Sequence, residues 1–510
     1  IGNSAEDSWI AHMEDTVKGG DYLNDQDAVE ILVKEASSAV YGLEHIGVLF
    51  NRDENGMIAQ RAFGGHSKPR ACYAKDTTGH SIQYEMFAQA LKDKIKIYDE
   101  YYATSLIIED SVCKGLTAYN IKTGEIEAFE AKAVMMATGG FAQVYQTTTA
   151  STSSTGDGLN LALKSNIPLM DMEFVQFHPT GIYGKGTLVS EAARGEGGHL
   201  KNGLGERFMA KYSPQMMELA PRDVVTKAIQ TEINLGHGIN RKDYVYLDLR
   251  HLGRDKIMGR LPFVRESVIS HLGIDCVTQQ IPIKPTAHYT MGGIPTTTSC
   301  EVYMDGKETV KGLYAAGECA CVSLHGANRL GCNSLLDCMV FGNIAGRAMA
   351  EYASSNDIVP PKEDYAKIEK EKISRMLSSD GTNKAWKLKE DLKKQAEMNC
   401  GIFKTSSKMQ LAIRNIRKLK EDFKSIKIED KGKVYNSELV SALEAESMLN
   451  VAEAMAVSAL SRKESRGAHA REDYKKRDDT SSLAHTLYFM SGEIRTRPVR
   501  ITKFKPGARD

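Results

Sequence analysis

Two short apolar runs, each closing on glycine, constrain this chain more than any other feature. Ala133-Val134-Met135-Met136-Ala137-Thr138 runs into Gly139-Gly140, and Gly312-Leu313-Tyr314-Ala315-Ala316 runs into Gly317-Glu318. A run of that length between turn residues predicts a buried strand, and glycine at its carboxyl end lets a ligand or another backbone come close. Before the first run, Ser105 to Glu109, Gly115 to Asn120 and Glu125 to Ala131 read as a meander of short strands. From Glu6 to Glu44 the pattern is helical, broken at Gly19-Gly20-Asp21, with Ala28, Ile31, Leu32, Ala36, Val40 and Leu43 on one apolar face of a surface-packed helix.

Between the two runs, the stretch from about Phe174 to His288 is rich in Gly, His, Arg and Glu and reads as a separately folded insertion. Beyond Tyr352, Lys and Glu recur at helical spacing over Tyr365 to Arg375, Asn383 to Glu397, Lys408 to Phe423 and Ser437 to Arg462. A helical bundle is expected there, its charges forming solvated faces. The basic tail from Arg495 to Arg509 has solvation as its default role and docking as the alternative. At about 100 to 200 residues per domain, 510 residues predict roughly three domains. Lys plus Arg and Asp plus Glu number 66 each, and this balance argues against a nucleic-acid partner. No apolar run reaches the ~18 residues of a membrane span. The nine cysteines are scattered, and Cys319 and Cys321 lack the spacing of a CxxC site, so reduced thiols are expected, with no metal or iron-sulfur ligation.

Chemistry concentrates in three places. Gln176-Phe177-His178-Pro179-Thr180-Gly181, followed by Ser190-Glu191-Ala192-Ala193-Arg194-Gly195-Glu196, puts imidazole, hydroxyl, carboxylate and guanidinium within one span. A carboxylate ligand needs such donors, since Arg offers a planar fork and His and Ser add single directed bonds. A lone His is more often structural, and it is the clustering that favours a site. Pro285 to Ile294 carries His288 before the pair Gly292-Gly293, which permits close approach to a flat ligand. His325-Gly326-Ala327-Asn328-Arg329-Leu330-Gly331 leads through Asn333-Ser334-Leu335 into a helix of small residues, and reads either as an anion site at a helix N-terminus or as a plain loop and cap.

Together these segments resemble the flavoprotein subunit of succinate dehydrogenase and fumarate reductase. The motifs occur in that family's order: F-H-P-T-G-I at Phe177 to Ile182, E-x-x-R-G-E-G-G at Glu191 to Gly198, E-R-F-M at Glu206 to Met209 and L-A-P-R-D-V-V at Leu219 to Val225. They continue with H-Y-x-M-G-G-I-P-T at His288 to Thr296, G-L-Y-A-x-G-E at Gly312 to Glu318, H-G-A-N-R-L-G-x-N-S-L-L-D at His325 to Asp337 and E-S-R-G-A-H-x-R at Glu464 to Arg471. The resemblance spans nearly the whole chain. It implies an α/β, Rossmann-like FAD-binding domain over residues 1–173 and 289–355, an inserted α+β capping domain over 174–288, an α-helical domain over 356–478 and a short C-terminal segment over 479–510.

The function implied is flavin-dependent interconversion of succinate and fumarate, with hydride exchanged at flavin N5. By resemblance, His178, Ser190, His288 and Arg329 bind the dicarboxylate, Arg222 transfers the proton, and Glu191 and Arg194 relay that proton to solvent. Ser190 stands where the family usually has Thr. For FAD, the resemblance assigns Glu318 to a ribose hydroxyl, Ser334 and Leu335 to the isoalloxazine edge, and Thr138, Gly139, Gly140 and Asp157 to the ADP and ribose surroundings. The family's G-x-G-x-x-G turn and the His that attaches FAD covalently have no counterpart here, so a βαβ-sized unit is expected upstream. The partners implied are an iron-sulfur subunit, which holds the clusters, and a membrane anchor with quinone, with no nucleic acid. They place the protein peripherally on the cytoplasmic or matrix face of a membrane, an exported variant being the alternative. L-aspartate oxidase resembles the chain in the H-P-T, R-G-E-G, P-R-D and H-G-A-N-R segments; Met291 and Leu330-Gly331 follow the dehydrogenase pattern. A non-catalytic flavin-binding paralogue is the remaining alternative.

Overall fold

The computed structural model describes residues 7–507. The expected helical start at Glu6 and the tail residue Arg509 lie outside the described residues. The two glycine-ended runs form neighbouring parallel strands, with Leu313 opposite Val134, Tyr314 opposite Met135 and Ala315 opposite Met136. Their carboxyl ends therefore bring Gly139-Gly140 and Gly317-Glu318 side by side, because parallel pairing in register ends both strands at one edge. Thr309–Ala315 sits in a six-stranded sheet with Glu301–Tyr303, which the sequence pattern does not predict, and with the meander Tyr101–Glu109, Val112–Asn120 and Ile126–Glu130, whose strands lie within a few residues of their expected places.

The insertion is built on a four-stranded antiparallel sheet ordered Val175–Ile182, Ile281–Thr290, Val245–Asp248, His199–Lys201. It has its own core, in which Ile182, Leu200, Val225, Ile229, Val245, Leu247, Ile281 and Ile283 are buried together. The strand Ile281–Thr290 crosses the expected 288/289 boundary, and its last residues Tyr289 and Thr290 still pair with Gln176 and Val175.

The four C-terminal helices are Tyr365–Ser378, Ala385–Asn399, Ser406–Phe423 and Ser437–Ser461. Side-chain caps set three starts: Asp364 accepts from Lys367 N, Thr405 from Lys408 N and Asn436 from Leu439 N. Ser437–Ser461 is buried on every side from Ser447 to Ala456, so it forms the centre of the bundle. It packs on Asp157–Lys164, where Asn160 donates to Ser447 and accepts from Asn450, so the bundle shares one continuous core with the α/β sheet.

Two regions differ from expectation. The N-terminal segment is two helices, Trp9–Gly19 and Gln26–His45, parted at the predicted Gly19-Gly20-Asp21 break, but the second is wedged against Asn333–Ser355 through Ala28, Leu32 and Ala39, so the segment is integral to the interior and not merely laid on the surface. The basic tail docks onto its own chain: Arg497 Nη2 lies 2.5 Å from Asp25 Oδ2, Arg500 N donates to Asp25 Oδ1 at 2.7 Å and Lys503 pairs with Glu30 at 3.0 Å. A run of like charge is solvated only if no buried carboxylate faces it, and Asp25 is fully buried. The strands Ala484–Tyr488 and Ile494–Pro498 and the helix Thr78–Lys92 were not anticipated.

Candidate active site

The cap sheet positions the first histidine pair. His178 and Gln176 share one face of Val175–Ile182 by two-residue alternation. On the partner strand the register slips between Ala287 and Tyr289, making His288 the extra residue of a β-bulge. The bulge turns His288 against His178, with ring centroids 4.9 Å apart. The backbone N–H of Thr180 donates to His178 Nδ1 at 3.2 Å, which leaves the imidazole proton on Nε2, a buried atom with no protein partner. Burial, reinforced by Arg222 and His288, holds the His178 pKa well below the ordinary range, so the ring is a neutral donor. His288 is also kept neutral by burial and the guanidinium groups of Arg222 and Arg329, and its Nδ1 lies 2.7 Å from Thr149 Oγ1.

Arg222 opens the helix Arg222–Asn234 directly after Pro221, and Thr226 pins that helix to the sheet by donating to the Phe177 carbonyl at 2.9 Å. Its Nε and Nη2 lie 2.6 and 2.5 Å from Glu191 Oε2, and Nη1 donates to Gln176 Oε1 at 3.1 Å. Glu191 Oε1 accepts from Gly64 N at 2.8 Å and lies 3.4 Å from Arg194 Nη2. Burial pushes the Glu191 pKa up, but Arg222 and Arg194 outweigh it and hold the carboxyl down at about 2. Arg194 is fully buried, donates to the Glu218 carbonyl at 2.5 Å and leads to the Glu218–Arg207 ion pair, whose arginine is open to solvent. Glu191 thus bridges two guanidinium groups in a line from the site to the surface of the cap.

Arg329 completes the cluster. Its Nη1 lies 2.5 Å from Ser334 Oγ and its Nη2 donates to the same Gln176 Oε1 at 3.2 Å, while Nε is buried without a partner. Burial, with Arg222 nearby, lowers its pKa to about 10. Glu191 offsets one of the three guanidinium charges of Arg222, Arg194 and Arg329, leaving an excess of two positive charges among neutral histidines. Such a site complements a ligand with two carboxylates.

These groups stand at one end of a cavity of about 510 Å³. Ser190, Arg222, His288, Glu318, Arg329, Ser334 and Leu335 line it, whereas His178, Glu191 and Arg194 are held behind that wall. Ala36, Ala39, Val40, Leu43 and Met339 make its opposite end apolar. Glu318 accepts from Thr290 N at 3.0 Å, and burial raises its pKa. At Gly140 a Cβ would fall 2.4 Å from Glu318 Oε1 and 2.5 Å from Thr290 Oγ1, so the chain there admits no side chain. Thr138 packs against Gly158, where a Cβ would lie 2.0 Å from its Oγ1, and Gly139 has a positive φ of 70°. Asp157 heads the helix Asp157–Lys164 and is engaged by Tyr102 Oη at 2.7 Å and Thr155 Oγ1 at 2.6 Å, away from the cavity wall.

Gln176 has no role of its own in the sequence motif that contains it, yet its one amide oxygen joins the two arginines. The alternation that pairs it with His178 was the available signal. His12 and His66 also line the cavity and have no such signal, since each reaches it through tertiary packing of a separate loop or helix.

The comparisons fit this arrangement. An FAD binding domain model matches residues 2–335, and a fumarate reductase flavoprotein C-terminal model matches residues 389–510. The chain is 43% identical over 507 residues to the succinate dehydrogenase flavoprotein subunit of Rickettsia conorii, covering 96% of this chain and 84% of that one. It is 42% identical over 527 residues to the fumarate reductase flavoprotein subunit of Mycobacterium tuberculosis, covering 99% and 89%. Among solved structures, a mutant of E. coli quinol fumarate reductase superimposes with a TM-score of 0.94 at 39% identity over 100% of this chain and 90% of that one. A quinol-fumarate reductase with menaquinol molecules gives 0.92 at 39% over 99% and 91%. The chain belongs to the succinate dehydrogenase and fumarate reductase flavoprotein family, whose cofactor is FAD. The slot between the apolar wall and Glu318, the excluded Cβ at Gly140 and the unpartnered Arg329 Nε fit such a group.

Proposed function

We propose that the protein interconverts succinate and fumarate and passes electrons through an iron-sulfur partner to a quinone pool. The observation that carries this reading is the excess of two positive charges on Arg222, Arg194 and Arg329 around Glu191, set beside two neutral imidazoles. When bound, FAD supplies the two-electron redox chemistry. Glu318, Ser334 and Leu335 line the cavity and would hold it, while Thr138, Gly139, Gly140 and Asp157, which do not line it, are assigned to it by family resemblance alone.

Ser190, His288 and Arg329, which line the cavity, bind the two carboxylates and fix the four-carbon chain, which removes most of the orientational entropy of the reaction, and His178, whose unpartnered Nε2–H lies behind that wall, is assigned with them by family resemblance. Arg222 exchanges a proton with the substrate carbon. A guanidinium is a weak acid, so this role requires neighbours that restore its proton at once. Glu191, 2.5 Å from Arg222 Nη2, serves as that neighbour, and Arg194 continues the path toward Glu218 and Arg207. Gln176 holds Arg222 and Arg329 in register from a single acceptor.

Among the described residues no helix is long and apolar enough to cross a membrane, and attachment through the partner subunits is assigned by family resemblance. The menaquinol in one solved relative supports quinone as the far partner. We assign the cytoplasmic or matrix face of the membrane by family resemblance. The test is an anaerobic visible spectrum of the FAD-loaded protein before and after succinate, with L-aspartate in parallel. Bleaching by succinate alone is expected; bleaching by aspartate, or by neither, would refute the reading.

A further inference from the structure

A second cavity, of about 530 Å³, abuts the first, and Asp76, Leu188 and Ser190 line both. Its remaining walls come from the 148–150 loop, from Ser267 and His271 on the helix Pro262–Leu272, and from the tip of a cap hairpin at residues 183–187. Thr149, on its wall, is the residue that contacts His288 at 2.7 Å. The partition between the two spaces is therefore one side chain thick, and its apolar member, Leu188, is 36% exposed.

We propose that this second cavity is the entry vestibule for the dicarboxylate and that Leu188 is its gate. The proposal rests on the dicarboxylate reading above and adds the route by which the ligand reaches Ser190, His288 and the arginines.

Three features support it. Lys185 is exposed at the mouth and has no ion-pair partner among the described residues, so its charge is free to draw a dianion inward. Thr149, Thr187, Ser190 and Ser267 line the path with hydroxyls, which replace lost hydration of a carboxylate one bond at a time. The one acidic group, Asp76, accepts from Val264 N at 2.9 Å in the first turn of Pro262–Leu272, where the helix N-terminus offsets its charge.

The hairpin itself is braced. Ile182 N donates to Thr187 O, Val189 N donates to Thr180 O, and Gly186, at φ 73°, sits so near the 148–150 loop that a Cβ would lie 2.7 Å from Thr148 O. Movement at the gate is thus a rotamer change of Leu188, which in an exposed side chain is fast.

The test uses the full FAD-loaded chain and fumarate, followed in a stopped-flow instrument by the flavin absorbance change. In Leu188→Trp, association and dissociation both slow about tenfold while Kd stays within about twofold, because a gate alters the barrier and not the end states. In Lys185→Glu, association falls about threefold to tenfold at low ionic strength and recovers near 0.5 M salt. Unchanged association in both variants would overturn the vestibule, and a Leu188→Trp change confined to dissociation and Kd would make Leu188 a binding contact instead of a gate. Absence of any fumarate response in the unmodified protein would overturn the dicarboxylate reading itself, and the vestibule with it.

Discussion

Replacing Glu191 with Gln isolates the electrostatics of the site, because the amide keeps the side chain's shape and an acceptor for Gly64 N. The carboxylate lies buried between Arg222 and Arg194, and although burial alone would raise its pKa, the two arginines bring it from the ordinary 4.5 to about 2. That displacement corresponds to about 3 kcal/mol of stability at neutral pH. The cost of removing one partner from a buried ion pair, about 3–5 kcal/mol, agrees with it. Because the folded pKa is depressed, the contribution is complete above the unfolded value of 4.5 and is lost as pH falls through 2. By linkage about three quarters of it remains at pH 4 and about two fifths at pH 3. Thermal unfolding of both proteins in parallel, from pH 7 to pH 3.5, reads this out. If the chain unfolds as one cooperative unit, Glu191→Gln lowers Tm by about 3 °C at pH 7, and the gap narrows as the pH is lowered. The other carboxylates titrate alike in both proteins, so the difference belongs to Glu191. An absent gap at pH 7, or one that keeps its size down to pH 3.5, would refute the account of Glu191 as the charged bridge.

Further expectations concern chemistry, cofactor and frame. Arg222→Gln lowers kcat by about 10²–10⁴, with fumarate Kd within about threefold, since the carboxylate donors His178, Ser190, His288 and Arg329 remain; steady-state kinetics with equilibrium binding checks this, and near-normal turnover would remove Arg222 from the proton path. Gly140→Ala forces a Cβ against Glu318 and Thr290, so the purified variant carries less flavin, with affinity weakened at least about tenfold; a flavin-to-protein absorbance ratio equal to the parent would contradict the placement. His485 is buried between Asp171 at 2.7 Å and Asp25 at 3.1 Å. Burial disfavours its charge, but the two carboxylates outweigh that and raise its pKa to about 9. The stabilisation is complete below the unfolded 6.5 and vanishes as pH rises through 9, so His485→Asn costs about 3 kcal/mol at pH 6, progressively less between pH 6.5 and pH 9 and almost nothing above that, as pH-dependent thermal melts would show.

Much of the architecture was legible because it is written in local pattern. The glycine-ended strands, the meander and the four C-terminal helices follow from apolar periodicity and turn residues, which act over a few positions. Glu191 and Arg194 were legible as a unit for the same reason, being three residues apart on one turn. The helix Thr78–Lys92 escaped because its apolar residues, Tyr84, Phe87 and Leu91 among them, are exposed and mark no buried stripe. The basic tail was misjudged because the partner of Arg497 is Asp25, hundreds of positions away.

The sequence by itself therefore determined the glycine-ended strands, the meander, the C-terminal helices, the glycine corners and the set of donors available to a dicarboxylate. Tertiary structure alone decided that Gln176 ties Arg222 to Arg329, that a one-residue bulge turns His288 onto His178, and that Leu188 stands between two cavities. The physical reason is one of range. Periodicity and propensity report on neighbours in the chain, whereas a charge network or a cavity is defined by groups that meet only after separate elements have packed.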